Sequence, residues 1–156
     1  MPSVISPDTI FINQCQSVSF LITSSDPEVG PGPISLHGAL IHPFASVTDS
    51  GNGTGSLNLL APATISPGLY GAPVFASDGG DSSGVVVPVR IFQKGDLNQD
   101  GMLAPADVVL LLNCIFSNEL PPAGAGACDM DGGGASASDV VVLLNATFLE
   151  DPLPPC

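Results

Sequence analysis

Residues 95–107 read GDLNQDGMLAPAD, and the apolar run 108–116 follows at once. Oxygen-bearing side chains stand at positions one, three, five and twelve of this loop, with Gly101 at position six. This is the spacing of a calcium loop, because a hard cation needs about six to eight oxygens and the glycine permits the sharp turn. Position twelve is Asp107 instead of the usual Glu, so its carboxylate reaches less far. The predicted ligands are Asp96, Asn98, Asp100, the backbone carbonyl of Met102, and Asp107.

A second copy of the pattern follows about 32 residues later. Residues 107–116 (DVVLLLNCIF) and 139–148 (DVVVLLNATF) are identical at seven of ten positions, and each run predicts a helix. The second loop has Gly133 at position five and is one residue short before Asp139, so we expect weaker calcium binding, or binding through water and carbonyls. A glycine-rich turn capping the helix with Ser138 or Asp139 is the alternative. The predicted ligands of this loop are Asp129, Asp131 and Asp139.

This duplicated loop and helix resembles the dockerin family over residues 95–150. Dockerins carry two loop-helix units related by pseudo-twofold symmetry, each an EF-hand without its entering helix, and use Asp at position twelve. The resemblance implies Ca²⁺ as the bound ion and docking of the helices onto a cohesin-type β-sandwich. The residues that it implies in partner binding are Pro105, Ala106, Val109 and Leu112 in the first repeat, and Ala137, Ser138, Val141 and Leu144 in the second. They are unusually apolar for a reversible surface, which favours lasting burial.

The first part of the chain reads as short strands separated by turn residues. Strands at this spacing, without a helical period, predict an antiparallel β-sandwich of Greek-key type. The chain has no Trp, which argues against an antibody-type core. The predicted strands are residues 9–13, 17–23, 34–41, 56–60, 69–76 and 85–92.

Residues 8–92 also resemble bacterial cadherin-like or immunoglobulin-like modules. The resemblance is carried by SVSFLITSSDPEVG (17–30), DSGNGTGSLNLLAP (49–62), PGLYGAPVFASDGG (67–80) and SGVVVPVRIF (83–92). It implies a spacer or binding module without catalysis. Acids at the module ends bind calcium in cadherin-like relatives, so Asp26, Glu28 and Asp78 are further candidates. Simple side-chain turns at Asp26 and Asp78 are the favoured interpretation.

The pattern changes abruptly at residues 93–95, with almost no linker. We therefore predict a sandwich domain over residues 1–93 and a dockerin-like domain over 94–156. The predicted fold is mainly β with a small α part.

Charge and hydropathy exclude several partners. Fifteen acidic residues against two basic ones give a formal charge of −13, the wrong sign for nucleic acid or an anionic membrane. No apolar run approaches the roughly 18 residues of a membrane span.

Four cysteines without a CxxC motif predict disulfides and an extracellular or cell-surface location. A Cys128–Cys156 bridge is sterically easy, and Cys114–Cys128 is the alternative. Cys15 has a partner either in the C-terminal module or in another chain. The sequons at Asn52 and Asn145 are candidate glycosylation sites.

No catalytic arrangement is visible. The histidines His37 and His42 lie on or beside one predicted strand, and HExxH, GxSxG and phosphate-loop motifs are missing. The chain is therefore predicted to be an interaction module without enzymatic activity. In a second hypothesis it is a structural subunit, with the dockerin-like module of one copy bound to the sandwich of the next, which would build an extracellular filament. In a third, the helical pair packs against its own sandwich as a stalk terminus.

Overall fold

The computed structural model describes residues 1–27, 32–38 and 43–156. Within these residues the chain forms eight strands, two α-helices and a short 3₁₀ helix. The strands are β1 (Ser3–Ile5), β2 (Ile10–Asn13), β3 (Ser17–Ser25), β4 (Ser35–Gly38), β5 (Ala45–Gly51), β6 (Thr54–Leu60), β7 (Gly68–Ser77) and β8 (Ser82–Phe92). The helices are α1 (Pro105–Ser117) and α2 (Ala137–Phe148), with the 3₁₀ helix Ala125–Cys128 between them.

The chain divides into two compact units. Unit one comprises Met1–Ile10, Ser17–Leu60 and Leu69–Arg90, and unit two comprises Phe11–Gln16, Ala61–Gly68 and Ile91–Cys156. Two short segments from the strand-rich part of the sequence thus belong to the helical unit. The predicted domain boundary between residues 93 and 94 stays a prediction.

The strands form two four-stranded sheets with the orders β1-β3-β6-β5 and β2-β8-β7-β4. The pairs β1–β3, β3–β6, β5–β6 and β4–β7 are antiparallel. This order resembles the immunoglobulin-type sandwich, in which strands A, B, E and D form one sheet and C, F and G the other. The prediction of a mainly β fold with a sandwich is confirmed.

The core of the sandwich follows from the period of two along each strand. Side chains on successive residues point to opposite faces, so Ile22 is fully buried while its neighbour Leu21 is exposed. Leu57, Val74 and Val87 are likewise buried. An Asn-Gly hairpin joins β5 to β6, and all three residues 51–53 have a positive φ.

Two strands were not predicted from the sequence. β1 and β5 are the edge strands of their sheet, and most of their residues are exposed or half-buried, so they lack the apolar alternation that reveals a buried strand. Of the predicted strand 34–41, residues 35–38 form β4, and residues 39–41 lie outside the described residues.

The core of unit two lies between the two helices and their loops. Leu111 of α1 and Leu143 of α2 are fully buried at equivalent positions of the repeat, as are Leu97 and Met130 of the loops. Val108, Val140, Ala127 and Cys128 complete the buried cluster.

Two disulfide bonds join all four cysteines, as Cys15–Cys156 and Cys114–Cys128. Of the pairings left open by the sequence, Cys114–Cys128 and a partner for Cys15 in the C-terminal module are confirmed, whereas the bridge between Cys128 and Cys156 does not form. Cys128 lies in the helical core, where Cys114 packs against it from α1. Cys156 pairs instead with Cys15, which belongs to the same compact unit although it is far away in sequence.

Candidate metal centre

The two predicted cation loops, called loop one (residues 96–107) and loop two (residues 129–139), are each tied to a helix by their last aspartate. Asp107 is fully buried. Its Oδ1 accepts hydrogen bonds from the backbone N–H groups of Leu97 (2.7 Å) and Asn98 (3.2 Å), and its Oδ2 accepts from Ala104 N–H (2.9 Å). One carboxylate therefore holds both the entry of the loop and the first turn of α1.

Asp139 repeats this arrangement in loop two. Its Oδ1 accepts from the N–H groups of Met130 (2.6 Å) and Asp131 (3.2 Å), and its Oδ2 accepts from Ser136 N–H (2.7 Å). The N-cap of α2 is Ser136, not Ser138 or Asp139, because the aspartate occupies the third helical position and bonds back to the cap. The helix consequently begins earlier than its apolar run.

The first aspartate of each loop also accepts an equivalent hydrogen bond. This equivalence shows at which position loop two is one residue shorter than loop one. Asp96 Oδ2 accepts from Gly101 N–H (2.9 Å), and Asp129 Oδ2 accepts from Gly134 N–H (3.1 Å). Both glycines have φ near +90°, a conformation that glycine adopts readily. Gly134 thus matches Gly101, so loop two is shortened after its sixth position, where Ala135 replaces the two residues 102–103.

Loop two brings three carboxylates together. One ligand oxygen each from Asp129, Asp131 and Asp139 lies within 4.8 Å of the others. Two oxygens bound to one calcium ion at about 2.3–2.6 Å are at most about 5 Å apart, so this set fits a shared ion. A cluster of three aspartates that could hold a metal ion is the part of the cofactor prediction that the structure supports.

Loop one is arranged differently. Among the described residues, the carboxylates of loop one do not form a group of three whose ligand oxygens all lie within 4.8 Å of one another. Asp100 is exposed, and its Oδ1 accepts from Met102 N–H (2.9 Å) while its Oδ2 accepts from the side-chain amide of Asn98 (2.8 Å). The predicted ligands of loop one are close together, but they form hydrogen bonds with one another.

Burial governs the charge of Asp96. Removal from water raises the pKa of this carboxyl, and the negative charges of Asp107 and Asp100 raise it further. Hydrogen bonds from the N–H groups of Gly101 and Asp100 oppose this shift. A bound cation would stabilise the ionised form.

Sequence reasoning missed a buried amide that supports loop one. Asn13 is almost inaccessible, and its Nδ2 donates to the carbonyl oxygens of Asp96 (2.6 Å) and Gln93 (3.0 Å). Its Oδ1 accepts from the side chain of Gln99 within the loop (2.9 Å). The available signal was a polar residue at the end of the apolar strand β2, which does not identify its distant partners.

The two helices present matching apolar residues to solvent. Exposed fractions are 55% and 57% at Val109 and Val141, 37% at both Leu112 and Leu144, and 66% and 60% at Phe116 and Phe148. The remaining predicted partner-binding residues, Pro105, Ala106, Ala137 and Ser138, are exposed as well. Their role in binding stays a prediction.

The other candidates lie outside the two cation loops. Asp78 Oδ1 accepts from the N–H groups of Gly80 (2.9 Å) and Asp81 (2.7 Å), which is the side-chain turn favoured from the sequence. His37 stacks on Phe75 with ring centroids 5.4 Å apart. Glu28 and His42 lie outside the described residues.

Both candidate glycosylation sites have defined positions. Asn52 is exposed at the β5–β6 turn, whereas Asn145 is half-buried within α2. Their glycosylation stays a prediction.

No helix within the described ranges has both the length and the apolar character required to cross a membrane.

No protein-family model matches the chain, and no curated protein matches it in sequence. Among solved structures, a variant of the SrpA adhesin from Streptococcus sanguinis is similar with a TM-score of 0.50 and 12% identity, over 61% of this chain and 60% of that chain. An endo-fucoidan hydrolase from glycoside hydrolase family 107 is similar with a TM-score of 0.51 and 16% identity, over 66% of this chain and 15% of that chain. This chain therefore spans only part of either protein. At these identities the likeness shows the fold alone, a β-sandwich.

Proposed function

We propose that the chain is a non-catalytic, extracellular protein of calcium-dependent protein–protein interaction and assembly. Its dockerin-like pair of loops and helices docks onto a β-sandwich partner of the cohesin type. The observation that carries the proposal is the pair of matching apolar faces on α1 and α2. The disulfides support an extracellular location.

The composition of the helices suits docking. Each helix contains a single charged residue, Asp107 or Asp139, and both of these carboxylates are buried. The exposed faces thus carry no charge that docking would have to desolvate, which favours burial against a protein surface. Phe116 and Phe148 have the large apolar area that commonly anchors an interface.

Calcium would act on the shape of this surface. In loop one the ligands would be Asp96, Asn98, Asp100, Asp107 and the Met102 carbonyl, and in loop two Asp129, Asp131 and Asp139. The ion supplies positive charge that offsets repulsion among the carboxylates. Asp107 and Asp139 also accept a hydrogen bond from the start of their helices. A calcium ion bound to these carboxylates would therefore fix the position at which each helix begins.

Calcium titration tests the first half of the proposal. We expect calcium to raise the melting temperature and the helix content of unit two, measured by circular dichroism, and Asp100→Ala to remove most of the effect of loop one. The matched control is Asp151→Ala, which removes an exposed carboxylate outside both loops. A circular dichroism spectrum and melting curve unchanged by chelator would overturn calcium dependence.

Interface variants test the second half. A purified cohesin-type β-sandwich is immobilised, and binding is measured by interferometry with calcium and with chelator. The double substitution Leu112→Asp with Leu144→Asp should abolish calcium-dependent binding, whereas Leu21→Asp, at an exposed leucine of the sandwich, should leave it unchanged. Equal binding by all three proteins would contradict a role for the helix faces.

Self-assembly is the second candidate function. The chain has its own β-sandwich, and exposed apolar side chains such as Leu21 and Val86 lie on its sheets. Docking of the helices of one copy onto the sandwich of another is a heterologous contact, which repeats into rings or filaments. Light scattering at high protein concentration decides: growth with calcium and reversal by chelator favour assembly, and a monomer under both conditions favours an external partner.

A further inference from the structure

A groove opens on the solvent-facing side of the β1-β3-β6-β5 sheet, within unit one. Its volume of about 670 Å³ lies inside the range of about 300–1,000 Å³ that is usual for small-molecule sites. Residues of β3, β6 and β5 form it, together with the segment that leads into β5. The lining residues that bear on its chemistry are Ser17, Ser19, Pro43, Ser46, Asn58 and Leu60.

The strand register brings three polar side chains together in this groove. Asn58 of β6 pairs with Ser19 of β3 on one side and with Ser46 of β5 on the other. Its neighbours on β6, Leu57 and Leu59, are buried, so Asn58 lies on the opposite, solvent-facing side of the sheet. The polar groups of the groove therefore stand on regular strands, which hold them at a fixed spacing.

Hydrogen bonds fix the orientation of the Asn58 amide. Its Nδ2 donates to Thr48 Oγ1 (3.0 Å) and Ser56 Oγ (3.3 Å), and its Oδ1 accepts from Ser19 Oγ (2.8 Å). Both amide hydrogens are thus used, whereas the amide oxygen keeps one lone pair. The Ser19 hydroxyl donates its hydrogen to Asn58, so it too offers only lone pairs to the groove. Two fixed acceptors of this kind suit a ligand that is rich in hydroxyl donors.

The groove is neutral although the protein is strongly acidic. The formal charge of the chain is −13, yet the described residues that line the groove include no charged side chain. Leu60, which is 61% exposed, and the exposed Pro43 add apolar surface beside the polar groups. A pyranose ring combines hydroxyl groups at its edge with C–H groups on its faces, so it matches both kinds of surface. An anionic ligand would instead be repelled by the net charge of the protein.

We propose that this groove is a binding site for a neutral saccharide. Hydroxyl groups of the sugar donate to Asn58 Oδ1 and Ser19 Oγ, and one face of the pyranose ring packs on Leu60. The exposed hydroxyls of Ser17 and Ser46 make further hydrogen bonds to the sugar. The site lies in unit one and uses neither cation loop, so it does not depend on the proposed docking function. Sugar binding should therefore be the same in calcium and in chelator.

The first test is a titration of the isotope-labelled chain with cellobiose, lactose and maltose, followed by nuclear magnetic resonance. We expect at least one of these neutral sugars to shift the backbone amide signals of Ser19, Ser46 and Asn58 in a saturable manner at millimolar concentration. Glucuronic acid carries a carboxylate that glucose lacks, so it should cause smaller shifts than glucose at the same concentration. The absence of saturable shifts in the groove with all three disaccharides would overturn the proposal.

A bulky substitution on the groove provides the second test. Ser46→Phe places a ring in the groove and should abolish sugar binding. Leu21→Phe places the same ring on the solvent-facing side of β3, at a residue that is 74% exposed and is not among the described lining residues, so it should leave the affinity unchanged. The melting temperature checks that both variants are folded. Equal sugar affinity of the two variants would contradict binding in the groove.

The third test concerns the orientation of the Asn58 amide. Thr48 accepts a hydrogen bond from this amide and is not among the described residues that line the groove. Thr48→Val removes that acceptor without a change in size and should weaken sugar binding by about fivefold. Thr48→Ser keeps the hydroxyl and should bind like the wild type. Wild-type affinity of Thr48→Val would overturn the role assigned to the fixed amide.

Discussion

Asp107 and Asp139 each tie a predicted cation loop to the helix that follows it. Each carboxylate accepts three backbone N–H groups, two from the start of its loop and one from the cap of its helix. These hydrogen bonds join the start of each loop to the start of its helix. The loop geometry is therefore partly fixed before any ion binds.

Substitution of either aspartate should destabilise unit two even without calcium. Asp107→Ala leaves the buried N–H of Leu97 without its acceptor, and we expect a loss of about 2–4 kcal/mol in the free energy of unfolding. Asp139→Ala should cost a similar amount through Met130 N–H. The measurement is urea denaturation in chelator, with the exposed Glu119→Ala as control. A loss below about 0.5 kcal/mol would show that these hydrogen bonds are dispensable.

Asp78 gives a prediction about acid stability. Hydrogen bonds from the N–H groups of Asp81 and Gly80 hold the pKa of Asp78 below its ordinary value of 3.8. The folded state thus binds a proton less readily than the unfolded state, so the stabilisation is present above pH 3.8 and is lost as the pH falls through the lowered pKa. Asp78→Asn should make the melting temperature of unit one less dependent on pH below about 4. An unchanged pH profile would contradict this.

At the scale of elements, the helices were predictable because their signals are local. The apolar period and the duplicated sequence predicted both helices, and their ends at Ser117 and Phe148 agree with the predicted runs to within one residue. Their starts were placed too late, because Pro105 suits the first turn of a helix and Asp107 bonds back to the cap from the third position. The start of a helix depends on the hydrogen bonds that side chains make to its first turn. The spacing of apolar residues gives no information about those bonds.

The strands and disulfides show where local signals fail. Buried strands such as β7 and β8 were found from their apolar runs, whereas the edge strands β1 and β5 were not. The Cys15–Cys156 bridge depends on the segment Phe11–Gln16 joining unit two. The contacts of Asn13 and Lys94 likewise depend on partners about 60 to 80 residues away. Chain proximity, on which the Cys128–Cys156 interpretation relied, cannot reveal such contacts.

Adjacent leucines in each helix provide a matched comparison. Leu111 is fully buried and Leu112 is 37% exposed, so we expect Leu111→Ala to cost about 2–5 kcal/mol and Leu112→Ala clearly less. Leu143→Ala and Leu144→Ala should show the same difference in α2. Calorimetric melting of the four variants in calcium checks this. Equal losses within a pair would mean that the faces assigned to core and solvent are wrong.

For the molecule as a whole, the two bridges should contribute unequally to stability. The bridge between Cys15 and Cys156 spans 141 residues, and that between Cys114 and Cys128 spans 14. In the chain-entropy description these loops correspond to about 5 and about 3 kcal/mol. The double Cys→Ser variant of the long bridge should therefore melt at a lower temperature than that of the short bridge. The reverse order would show that local packing outweighs chain entropy.

The same long bridge has a mechanical consequence. It closes residues 15–156 into a covalent ring, so a pulling force applied between Met1 and Cys156 would pass through the sulfur–sulfur bond. Only the residues before Cys15 could straighten, which gives an extension of about 50 Å. After reduction of the bridge the same force would act on the whole ring, and the available extension would grow to about 500 Å. A chain anchored at these two points would behave as a short, stiff tether under oxidising conditions and as an extensible one after reduction.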